Sequence, residues 1–186
     1  MATIEDRIVR RIDAVRQPAS QEVSDQGKAA EAAVIQFFNL IPGMHIRAAT
    51  PDEDSGKSQI VKDKAIDAVA YMNGKPVLGL QITTATDSVA RYEKRTDLLQ
   101  RPFIRLREMK LSDSAIPRAL VFIEAKAIKD FLSEKDFKKQ PAMALQILSS
   151  CIASLKLALM NTKINAEQHA INKLMTVLER QKTEYN

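Results

Sequence analysis

Tryptophan is absent, and three tyrosines with six phenylalanines are the whole aromatic content. Recognition of single strands by stacking bases on aromatic platforms is therefore a poor fit. The one cysteine, Cys151, excludes an internal disulfide and any multi-cysteine zinc site. It lies in the apolar run from Leu148 to Leu155, as a buried structural thiol does. The two histidines, His45 and His169, are far apart, so a metal would need oxygen ligands, which favours Mg2+ or Mn2+. No apolar run approaches the roughly 18 residues of a membrane span, and no membrane is expected. Met1 to Arg16 lacks the apolar core and cleavage site of a signal peptide. A cytoplasmic location is the expectation, with secretion by a system needing no cleaved signal still compatible.

The chain has 186 residues, 45% hydrophobic and 27% charged, which suits one domain with an appendage. Net charge is +5, favouring an anionic partner such as DNA or RNA. Between Arg91 and Lys110 stand seven basic residues against three acidic ones. Arg91, Lys94, Arg95, Arg101 and Arg105 are the candidate phosphate contacts, the competing reading being a solvated helix face.

Three segments emerge. Residues 1–20 carry an N-terminal amphipathic helix, with Ile4, Ile8, Ile12 and Val15 on one stripe suited to packing or a homodimer contact. Residues 21–125 form the core. A helix to Leu40 buries Ala30, Val34, Phe37, Phe38 and Ile41, and Pro42-Gly43 ends it. Met44 to Thr50 reads as a strand. Residues 51–58 are a polar loop, whose Gly56-Lys57-Ser58 is no phosphate-binding loop because Pro51 stands where a glycine is required. Lys64–Met72 and Pro76–Thr83 are strands joined at Asn73-Gly74, a strong hairpin signal. A helix follows to about residue 100, and Arg118 to Glu124 is an apolar strand after Pro117. Residues 126–186 form a helical extension packed on the core, ending in a hairpin of two helices, which also suits a homodimer contact.

The order helix, strand, strand, strand, helix, strand implies an α/β fold with a mixed central sheet. On it, Asp67 is a lone carboxylate amid Ala65-Ile66 and Ala68-Val69-Ala70, and Gln81-Ile82-Thr83 lies on the next strand. A buried carboxylate needs a partner or a metal.

This layout, with Glu31 on the first helix, resembles the PD-(D/E)xK nuclease superfamily, or restriction-endonuclease-like fold, over roughly residues 22–124. The resemblance implies an αβββαβ core and, in an active member, metal-dependent phosphodiester hydrolysis. It also implies that Glu31 and Asp67 hold Mg2+ or Mn2+ with the Gln81 amide oxygen and the Ile82 carbonyl. Gln81 replaces the family's second carboxylate and Thr83 its lysine, so Lys28, Arg91 or Lys94 would have to supply the missing cation. The alternatives are a nuclease-fold relic that binds nucleic acid without cutting it, and an effector-type protein-interaction module. Placing Asp67 and Gln81 on one face requires a bulged hairpin: a plain two-residue turn pairing Met72 with Lys75 puts them on opposite faces. A three-residue turn, with Gly74 at a left-handed bulge position, is the expected solution.

Overall fold

A computed structural model describes residues 21–50, 66–84, 88–106, 108–110 and 113–186. The expected N-terminal helix, the 51–58 loop and Lys64 lie outside the described residues.

The chain is an α/β protein with a five-stranded mixed sheet and, among the described residues, five α-helices. In chain order these are α1 (Gln21–Leu40), β1 (Met44–Ala48), β2 (Ala68–Met72), β3 (Lys75–Thr83), α2 (Ser88–Gln100), β4 (Phe103–Ile104), β5 (Ile116–Phe122), α3 (Ala125–Ser133), α4 (Pro141–Asn161) and α5 (Asn165–Tyr185). A single 3-10 turn, Phe137–Lys139, precedes α4. The strand order is β1-β2-β3-β5-β4, with β3 and β5 parallel and the other pairs antiparallel.

Helix α1 forms because Ala30, Ala33, Val34, Phe37 and Phe38 recur every three to four residues, and all five are fully buried. They meet Ala68, Ala70, Leu78, Leu80, Ile82, Ala119, Val121 and Ile123, which alternate along β2, β3 and β5 and so share one face of the sheet. α3, α4 and α5 complete this core, and α3 is an element that the sequence spacing did not single out. On the opposite face Ile66, Val69, Ile104, Leu106 and Ile116 make a smaller cluster. Gly79 belongs to that face, and a Cβ there would meet Ile104 at 3.1 Å. Its missing side chain lets the cluster close over the sheet.

The hairpin solves the parity problem differently from the sequence expectation. The turn has two residues: Met72 pairs with Lys75, and both Asn73 and Gly74 take positive φ, 54° and 74°, as a type I′ turn demands. The extra residue sits in the strand. Tyr71 pairs with Pro76 but Ala70 pairs with Leu78, leaving Val77 as a bulge. The physical reason is Pro76. A proline inside a central strand has no N–H for the ladder and is tolerated only where the pairing is broken.

Both flanks of the sheet are covered. At β1, the Met44 N–H donates to the Ile41 carbonyl oxygen (3.0 Å) and the Ile46 N–H to Asn39 Oδ1 (3.0 Å). Along β5, the outward N–H groups of Leu120, Phe122 and Glu124 donate to Ser154 Oγ (3.0 Å), Ser150 Oγ (3.4 Å) and Gln146 Oε1 (3.1 Å) of α4. Four helical residues rise about 6 Å, and two strand residues about 6.6 Å. The i, i+4, i+8 spacing on α4 therefore matches alternate residues of an antiparallel neighbouring strand. Contrary to the expectation that no apolar run approaches a membrane span, α4 is long and apolar enough to cross one, with a mean hydropathy of 1.7, and half of that window is buried in the fold. Met143, Ile147, Leu148, Cys151 and Leu155 put it in the core.

Candidate functional site

Ala68 pairs with Leu80 on the α1 side of the sheet, and the same register brings Asp67 opposite Gln81 on the other side. Asp67 is half-buried at the start of β2, where its N–H donates to the Leu80 carbonyl oxygen (2.7 Å). Its Oδ2 accepts the Ile82 N–H at 2.5 Å, so the carboxylate is held against β3 by a backbone donor. The structure thus brings Asp67, Gln81 and Ile82 together, with the Ile82 N–H rather than its carbonyl on the carboxylate. Thr83, 6% exposed, is the next inward residue of this face.

The cation beside them is Arg118, which the sequence reading missed. It stands on β5, in register with Gly79, and is 2% exposed. Nη2 donates to Gln81 Oε1 (3.2 Å) and to Asp97 Oδ2 of α2 (3.4 Å), while Nη1 reaches the Arg101 carbonyl oxygen (3.2 Å) and Asp97 Oδ2 (3.5 Å). Nε has no partner among the described residues. Burial pulls the guanidinium below its ordinary pKa and the charge of Arg101 adds to this. Even so, an arginine remains charged at any ordinary pH. The available signal was a charged residue opening an otherwise apolar strand, which must find a partner when that strand is central.

Glu31 and Lys28 sit on α1, which packs on the opposite face of the sheet; Glu31 is half-buried and Lys28 exposed. Among the described residues, no three His, Cys, Asp or Glu side chains converge as a metal cluster. The local donor set fits a divalent cation poorly. It offers one carboxylate already bound to a backbone N–H, and an amide oxygen already accepting from a guanidinium. A magnesium site typically draws on one or two carboxylates, and here the guanidinium that Asp97 pairs with also holds the one amide oxygen beside Asp67.

The basic residues divide. Arg91 and Arg95, one turn apart on α2, both place their guanidinium carbons 5.5 Å from the centroid of the Phe122 ring. Phe122 is in register with Thr83, so this pair stands at the carboxyl ends of the two parallel strands. Lys94 is half-buried on the same helix and Arg101 is exposed beyond its end. Arg105 donates to the Asp113 carbonyl oxygen. An apolar cleft of about 250 Å³ with Arg95, Leu98, Phe122, Ser150 and Leu157 in its walls runs between α2 and α4. A larger groove of about 430 Å³, between the hairpin tip and α5, contains none of the residues just described.

At the other flank, Arg47 Nε donates to the Tyr71 hydroxyl (2.9 Å) and its Nη2 pairs with Glu108 Oε2 (3.1 Å). The Tyr71 hydroxyl donates to Glu108 Oε1. Burial, seconded by Glu108, raises the Tyr71 phenol above its usual pKa. This triad fastens the segment after β4 to the sheet.

No protein-family model, curated protein or solved structure matches the chain. The arrangement of strands and side chains carries the functional argument.

Proposed function

We propose that the chain is a nucleic-acid-binding protein built on a restriction-endonuclease-like αβββαβ core, holding the phosphate backbone without cutting it. The order α1-β1-β2-β3-α2-β5 and the sheet order β1-β2-β3-β5 support that core. The observation that carries the reading is the strand bulge, which brings Asp67 opposite Gln81 where the nuclease layout needs two facing groups. There the Asp67 carboxylate accepts the Ile82 N–H and the Gln81 amide oxygen accepts from the Arg118 guanidinium, and a donor set so engaged favours binding over hydrolysis.

Arg91 and Arg95 are the phosphate contacts. A guanidinium held near an aromatic face, which takes no hydrogen bond from it, keeps its N–H donors for phosphate oxygens. The net charge of +5 supplies long-range attraction. Fluorescence anisotropy with labelled duplex and single-stranded DNA and RNA, over a salt series in EDTA, tests this directly. Binding should weaken steeply with salt, and each lost phosphate contact should reduce the log–log slope by about one. Arg91→Ala/Arg95→Ala should therefore flatten the slope by about two. Mg2+- or Mn2+-dependent cleavage abolished by Asp67→Ala would replace this reading with the hydrolytic one. Absence of any affinity at low salt would leave the protein-interaction module.

A further inference from the structure

A guanidinium has donors and no acceptor, so the Gln81 group facing Arg118 has to be the amide oxygen. The amide nitrogen is the other branch of the same carbon and turns away from Arg118. Gln81 is flanked by β5, which bears Arg118, on one side and by β2, which bears Asp67, on the other. The amide oxygen, the one Gln81 side-chain atom that could ligate a cation, is therefore taken by Arg118. A cation approaching Asp67 would find the neighbouring ligand oxygen already bound to a guanidinium. Arg118 is not free to swing clear: β3 holds it through Gln81, and α2 with the residue after it through Asp97 and the Arg101 carbonyl oxygen.

We propose that Arg118 is a positioning residue that keeps divalent cations out of this site by holding the Gln81 amide oxygen, the second ligand that a cation beside Asp67 would need. The ligand's phosphates are then bound without metal. This rests on the nuclease-like, nucleic-acid-binding reading above, and two separate readouts distinguish their failures.

The test is Mn2+ binding to the full chain, followed by loss of the free-ion electron paramagnetic resonance signal, alongside nucleic-acid affinity in EDTA and in Mn2+. The wild type should retain no ion that Asp67→Asn removes, and nucleic-acid affinity should agree within twofold in the two conditions. Gln81→Glu alone should gain no ion, because Arg118 captures the new carboxylate. The triple variant Gln81→Glu/Asp97→Asn/Arg118→Gln, which removes the guanidinium and its carboxylate together, should bind one Mn2+ at least tenfold more tightly than the wild type. Asp67-dependent ion binding in the wild type or in Gln81→Glu overturns the proposal, and neither result depends on the triple variant folding. A cooperatively melting triple variant with no added affinity overturns it as well. Failure to bind nucleic acid in either condition, with the ion results as expected, counts against the nucleic-acid reading alone.

Discussion

Removing the Asp97 carboxylate strands the Arg118 guanidinium inside the protein. Breaking a buried pair from one side costs 3–5 kcal/mol in general, since the remaining charge has neither water nor partner. Here the pair is longer than ideal, at 3.4 and 3.5 Å, and the Asp97 side chain is 17% exposed. Arg118 also keeps its bonds to Gln81 and the Arg101 carbonyl oxygen. Asp97→Ala should therefore destabilise by a smaller amount, about 2–3 kcal/mol. For a chain of this size that lowers the melting temperature by roughly 4–12 °C. Arg118→Met leaves a carboxylate that retains some contact with water, and should cost less. The double variant Asp97→Ala/Arg118→Met should be more stable than the sum of the two losses predicts, with a coupling of about 1–2 kcal/mol. Urea unfolding with an unchanged slope measures each corner of this cycle. Asp97→Ala within about 0.5 kcal/mol of wild type would refute the reasoning, because a shift that small is typical of unimportant surface sites.

The seam between α4 and β5 predicts that Ser154→Ala costs about 1–2 kcal/mol by leaving the Leu120 N–H buried without an acceptor. Hydrogen exchange at the Leu120 amide should accelerate in parallel, and unchanged protection would speak against the seam. Cys151 is fully buried and its thiol is pushed far up in pKa, so Ellman's reagent at pH 8 should label the native protein only as fast as it unfolds. Labelling at the rate of a free thiol would show that α4 is not packed as described. Tyr71, raised by burial and by Glu108, holds its proton more tightly in the folded state. That stability is complete below the unfolded value of about 10 and is lost as pH rises through the higher folded one. The urea midpoint should therefore fall in alkali, less so in Tyr71→Phe; equal falls would remove Tyr71 as a cause.

The helix spacing of Ala30, Val34, Phe37 and Phe38 was legible because one stripe of residues answers to one face of the core. The hairpin was legible from Asn73-Gly74, since few residue pairs accept two positive φ angles. The position of the bulge was not read, although Pro76 announces it: a missing ladder donor in a central strand has to be accommodated somewhere. Arg118 was passed over because the burial of β5 could not be known from β5 alone. Its partners Asp97 and Gln81 are 21 and 37 residues away, and only the parallel pairing brings them together. β4, two residues long, lies below what periodicity can signal.

The three contacts from Gln146, Ser150 and Ser154 make the C-terminal part of the chain a surrogate strand. Cut before Pro141, the protein would bare those β5 amides together with a slab of the main core. Amides in that condition recruit whatever extended chain comes near, so such a fragment should precipitate rather than survive as a minimal unit.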